Sequence, residues 1–175
     1  DRYSSKEFQQ EIDKIISPRN IAFNREIYEF FKSTSDTTVF VNVRNIGNLL
    51  ILDENRNQLG DIDVLVIDNK KHKFLIIESK DFSAVRTPYE LNLEMGKIFG
   101  DNGHLKKHER RVNWFKNNLE NIIKYFGLNE YLDWCVKSIF VSNEPLFSSH
   151  FHKQKDTEMI SVTELKEIYH KRCVS

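Results

Sequence analysis

Apolar positions recur along the chain in two rhythms, one helical and one strand-like. Phe8, Ile12, Ile15 and Ile16 follow helical spacing after Ser4 and Ser5, which can cap a first helix, until Pro18 interrupts the pattern. A second helix is expected from the stripe Phe23, Ile27, Phe30 and Phe31, ending at the polar run Ser33-Thr34-Ser35-Asp36. The stretch from Thr38 to Val43 then reads as a strand, closed by Arg44 and the turn residues Asn45 to Asn48. Leu49 to Leu52 reads as a short extension, and Asp53 to Asn57 as a solvated turn.

Two strands follow at once. Ile62 and Val64 to Ile67 form the first, Asp68 to Lys73 the turn, and Phe74 to Ile77 the second. Their nearly continuous apolar character predicts burial on both faces, as in a sheet covered by helices on each side. A loop is expected from Asp81 to about Gly103. After it, Leu105, His108, Val112, Phe115, Leu119, Ile122, Ile123 and Phe126 predict one helix of about six turns, stopped by Gly127. Trp134 to Val141 reads as a buried strand ended by Asn143-Glu144-Pro145, and Met159 and Ile160 as an edge strand. Ser161 with Glu164 forms a capping box opening a last helix through Leu165, Ile168 and Tyr169. This order predicts an α/β fold, with a mixed central sheet flanked by helices. The strand at 134–141, reached through a long helix, is expected to join in parallel by a right-handed crossover.

Composition narrows the classes. At 175 residues, 1–175 fits a single domain, and the first residue being Asp1 suggests a piece of a longer protein. No apolar run is long enough for a membrane span and no signal peptide is visible, so a cytoplasmic location is expected. Cys135 and Cys173 are far apart and form no zinc or disulfide framework. Lys plus Arg and Asp plus Glu each total 26, so nucleic-acid contact would need a local basic patch.

The chemistry lies where acids interrupt the buried hairpin. Gly60-Asp61-Ile62-Asp63 opens one strand, and Glu78-Ser79-Lys80 closes the next. Strand alternation puts Glu78 and Lys80 on one face and Ser79 on the other, and pairing about the shared turn sets Asp63 beside Glu78. Two buried carboxylates in contact are costly unless a cation lies between them, and Mg²⁺, with Mn²⁺ as a substitute, fits oxygen ligands. Lys80 can hold a scissile phosphate or, with a lowered pKa, help to activate water.

These residues resemble the PD-(D/E)XK, or restriction-endonuclease-like, superfamily, in which an Asp on one strand and an ExK triplet on the next follow a helix that often supplies another Glu. Asp63, Glu78 and Lys80 fit that pattern, and the likeness spans roughly Phe23 to Val141, nearest to nuclease-related and antiviral defence nuclease domains. It implies an αβββαβ core and a metal-dependent endonuclease acting on nucleic acid, in the first place DNA. Glu26, at the border of the apolar stripe, is the better helical acid, with Glu29 farther round. The implied metal ligands are then Asp63, Glu78 and Glu26, with Asp61 an accessory.

Other features are bland or divided. His104 and His108 have zinc-ligand spacing but no third ligand, and a core role for His108 competes with a phosphate contact. Lys106, Lys107, Arg110 and Arg111 form the densest basic cluster, so Lys107, His108 and Arg111 are candidate substrate contacts beside the plainer reading of a solvated face. His150 and His152 read as a polar loop, and Tyr89, Glu90 and Glu94 as a lid or an amphipathic helix. Two other functions fit the same residues, a non-cleaving binding or assembly module and a small-molecule phosphodiesterase. Nucleic acid, a second copy of the chain and further domains of a parent protein are the partners considered.

Overall fold

A computed structural model describes residues 6–34, 36–82, 87–146 and 156–170, including the side chains of all of these except 6–17 and 170. The caps Ser4 and Ser5 and the pair His150 and His152 lie outside the described residues.

The described residues begin with one helix, α1 (Lys6–Lys32), that runs through Pro18 instead of breaking into two. A proline inside a helix costs about 3 kcal/mol. Beyond it Phe23, Ile27 and Phe31 are buried, each contributing roughly 1.5–3 kcal/mol, which outweighs the lost bond at the exposed Pro18 turn.

Next come β1 (Thr37–Val43), β2 (Asn45–Ile46), β3 (Leu49–Leu50), β4 (Ile62–Asp68) and β5 (Lys73–Lys80). The stretch expected to extend the first strand instead pairs as β3 with β2, in a small separate hairpin. The helices α2 (Pro88–Phe99), α3 (His104–Asn117) and α4 (Leu119–Tyr125) lead to β6 (Cys135–Ser142), and β7 (Thr157–Ser161) and α5 (Val162–His170) close the described chain.

The main sheet is mixed, in the order β1-β4-β5-β6-β7. β4 pairs antiparallel with β1 and with β5, whereas β6 joins β5 in parallel and β7 joins β6 in parallel. Helices cover both faces, which is why β4 and β5 are apolar at nearly every position. On one side, Phe23, Ile27 and Phe31 of α1 and Leu165 and Tyr169 of α5 cover Val64, Val66, Leu75 and Ile77. On the other, Val112 and Phe115 of α3 and Ile122 of α4 cover Leu65, Ile67, Phe74 and Ile76.

Two helical expectations change. The loop expected from Asp81 to Gly103 contains α2, whose cap is reciprocal: Thr87 Oγ1 accepts from the Glu90 amide at 3.2 Å and Glu90 Oε2 from the Thr87 amide at 3.0 Å. The six-turn helix is divided at Asn118, which leaves helical geometry at φ −110°, ψ 13°. There Asn118 Nδ2 donates to the Trp114 carbonyl at 2.8 Å, a local side-chain bond of the kind that competes with helix propagation. Gly127, at φ +63°, ends α4 as expected, with its amide on the Lys124 carbonyl and that of Leu128 on the Ile123 carbonyl. Ser161 and Glu164 form the expected capping box before α5. Among the described residues no helix is long and apolar enough to cross a membrane.

Candidate functional site

The β4–β5 ladder pairs Val64 with Ile77, and one step further along this register Asp63 faces Glu78. Glu78 lies on the α3 side of the sheet, where Ile76, two residues before it, packs, and Asp63 joins it through their shared contact with Lys80. Lys80, next on that face of β5, brings its Nζ to 2.8 Å from Glu78 Oε1 and 3.0 Å from Asp63 Oδ2, and donates to the Ser79 carbonyl at 3.0 Å. Asp63 Oδ2 also accepts from the Ser79 amide at 2.9 Å. Glu78 is buried, and its second oxygen, Oε2, is held by Arg111 Nη2 of α3, whose Nη1 donates to the Leu59 carbonyl at 2.9 Å.

The expected convergence of Asp63, Glu78 and Lys80 is present, but the charge balance differs from that expected. Two carboxylates meet two cations, so a divalent ion is not required to balance their charge. The missing element was Arg111, buried at 5% exposure and committed to Glu78 instead of facing a substrate.

Burial pushes the Asp63 carboxyl above its ordinary range, and Glu78 beside it adds to the rise. Burial pulls Lys80 down, but the carboxylates of Glu78 and Asp63 together outweigh it and leave Lys80 raised. Lys80 is thus held as an ammonium, and the expectation of a lysine lowered into the range of a base is not met.

His108 takes the core role. It is buried, its Nε2 lies 2.9 Å from Ser138 Oγ, and Ser138 Oγ lies 2.8 Å from Thr157 Oγ1. Burial, followed by the charge of Arg111, lowers its pKa to about 3. A histidine lowered on folding stabilises fully above its unfolded value of 6.5 and loses that contribution as pH falls toward the folded value. Between those limits the wild type is expected to lose about 3–5 kcal/mol that His108→Gln does not lose, as read from urea unfolding at stepped pH. Asp63, being raised, works in the opposite sense, its contribution fading as pH rises through its folded value. The difference between wild type and variant cancels it. Equal slopes for the two proteins would overturn the assignment.

With this geometry in hand, a family model described as "Anti-phage protein Upx-like" matches residues 21–166. The chain belongs to this family. No curated protein matches it, and no solved structure does. The Upx-like match runs from α1 into α5 and takes in every residue of the cluster.

Other expected site residues of this Upx-like chain fall elsewhere. Glu26 is exposed and bound to Lys166 of α5 at 2.6 Å, so it does not join Asp63 and Glu78. Among the described residues no three His, Cys, Asp or Glu side chains converge as a metal cluster. Of Lys107, His108 and Arg111, Lys107 alone faces solvent. His104 is half-buried with its ring against Phe82, and its pKa is lowered by burial and then by Lys80.

The α1 residue that does reach the hairpin is Asn24. It lies about 100° round the helix from Phe23 on one side, while Glu26 lies about 60° on the other. Asn24 lies about 20° beyond Phe31 at one border of the stripe and Glu26 about 40° beyond Phe30 at the other, so helical angle slightly favours Asn24 and tertiary placement brings that border to the strand ends.

Proposed function

We propose that this Upx-like chain is a Mg²⁺-dependent nuclease that cleaves nucleic-acid phosphodiester bonds, in the first place DNA, as its part in anti-phage defence. The observation that carries the reading is the donor set around the Lys80 nitrogen: Glu78 Oε1, Asp63 Oδ2 and the Ser79 carbonyl, at 2.8–3.0 Å. Hard divalent cations take all-oxygen surroundings, so these groups fit Mg²⁺ or Mn²⁺. The arrangement also resembles the PD-(D/E)XK pattern in residue type and strand order.

Asp63 and Glu78 would hold the ion, which when bound polarises a phosphoryl oxygen and makes water a better nucleophile. Arg111, tied to both Glu78 and Leu59, keeps the Glu78 carboxylate in place. Lys80 has the more exposed side chain of the two cations, 18% against 6%, and is the one that can turn toward a phosphate. Its raised pKa keeps the charge that offsets developing negative charge on the phosphoryl group.

The test is incubation of supercoiled plasmid and circular single-stranded DNA with the chain in Mg²⁺, Mn²⁺ or EDTA. Cleavage is expected with either ion, none in EDTA, and none from Asp63→Asn. Activity that persists in EDTA or in that variant overturns the reading.

One observation favours a second reading, a non-cleaving binding module. Asp63, Glu78, Lys80 and Arg111 form a group that is electrically complete without a metal. Calorimetric Mn²⁺ binding that is lost in Asp63→Ala counts against that alternative.

A further inference from the structure

We infer that Asn24, on the far side of the sheet from the charged cluster, is a positioning residue for Asp63, acting through the Ser79 peptide. The inference rests on the reading of Asp63 and Glu78 as metal ligands.

Asn24 and Ser79 are both buried. Asn24 Oδ1 accepts from the Ser79 hydroxyl, and Asn24 Nδ2 donates to Asn42 Oδ1 at 3.1 Å. Ser79 belongs to β5 and Asn42 to β1, the two strands that flank β4. Val41 pairs with Val64 and Val43 with Ile62, so Asn42 stands beside Asp63 in the register. One amide thus bridges the two neighbours of the strand that carries Asp63.

This bridge matters because the β4–β5 ladder stops short of the site. Its last pair is Val64 with Ile77, although β5 continues to pair with β6 as far as Lys80. Past Val64 the Ser79 amide turns from the ladder to the Asp63 carboxylate at 2.9 Å, while its carbonyl accepts from Lys80 at 3.0 Å. The peptide aims both backbone groups at the cluster, and its side chain is the handle by which α1 holds it. Asn42 completes the brace at φ +52°, a left-handed conformation that Asn tolerates better than most residues.

An outer hydrogen-bonded partner that orients a metal ligand changes affinity or activity by roughly 10–100-fold when removed. Calorimetric titration of Mn²⁺ into wild type, Asn24→Ala, Ser79→Ala and the double variant should therefore show each single change weakening binding by about that factor. The double variant should fall short of the product of the two, because both remove the same bond. Asn42→Gly, which keeps the left-handed backbone, should weaken binding less. Exchange of the Ser79 amide proton should quicken in Asn24→Ala without a metal, a readout independent of the loaded site. Should Asn24→Ala fail to fold, Asn24→Leu, which keeps the side-chain bulk and removes the acceptor, decides in its place; Ser79→Ala alone does not, since its hydroxyl also lies 3.5 Å from Asp63 Oδ2. Folded variants that bind Mn²⁺ as the wild type does overturn this inference and leave the metal site standing, whereas a wild type that binds no Mn²⁺ overturns both.

Discussion

Lys80→Met is expected to bind Mn²⁺ at least as tightly as the wild type and yet to cleave DNA roughly 10²–10³-fold more slowly at saturating Mg²⁺. Methionine keeps most of the lysine stem and its packing, so the substitution removes the charge while leaving the shape. Asp63 and Glu78 then share a single cation, Arg111, and the site carries an uncompensated negative charge. That excess favours a divalent ion and supplies nothing to a phosphate. Affinity and rate therefore move in opposite directions, which a purely structural salt bridge does not predict. Lys80→Arg should not restore the rate, because a planar guanidinium fork cannot take the place of a compact ammonium among three oxygens at 2.8–3.0 Å. The check is single-turnover cleavage alongside a Mn²⁺ titration of the same preparations. An unchanged rate, or a loss that follows weakened metal binding, removes Lys80 from the proposed role.

What the sequence made legible was the contradiction at the hairpin. Charged residues at 63, 78 and 80 interrupt strands whose other positions are apolar, and two-residue alternation sets all three on one face. The parallel entry of β6 and the capping box at Ser161 follow from equally local signals. Arg111 escaped because hydropathy marks an arginine as surface wherever it stands. It lies only about 40° round α3 from the buried Phe115, so its helical angle already allowed burial. The cap of α2 was readable in Thr87-Pro88-Tyr89-Glu90, a cap residue, a proline in the first turn and an acid three positions after the cap. Leu91, Leu93 and Met95 after it recur at a two-residue spacing instead of along a helical stripe, which hid the helix. Asn24 sat close enough to the stripe to be buried but carried no chemical signal, since an asparagine at a stripe border is ordinary and its partners come from strands 18 and 55 residues away.

Glu78→Ala should cost about 3–5 kcal/mol of stability, far more than an ordinary surface charge, and the loss should be recovered in part by adding Arg111→Met. Glu78 is the shared counter-ion of the cluster, with Lys80 on one oxygen and Arg111 on the other. Removing it strands the Arg111 guanidinium inside the fold with, among the described residues, only the Leu59 carbonyl as a hydrogen-bond acceptor, and a buried charge without its partner is among the costliest defects a core can hold. Lys80 suffers less, because Asp63 still faces it at 3.0 Å and its side chain is partly open to solvent. In the double variant the stranded charge is gone and an apolar side chain of comparable length fills the space beside Leu59 and Gly60, which replaces an ionic contact by a hydrophobic one. Urea unfolding of the wild type, the two single variants and the double variant gives the coupling directly. Additive losses, or a Glu78→Ala penalty below about 1 kcal/mol, would mean that Arg111 finds water or another partner once the carboxylate is removed. Both Glu78 variants are expected to be inactive as nucleases, so stability separates what cleavage cannot. It measures the structural share of a carboxylate that the proposed reaction also uses.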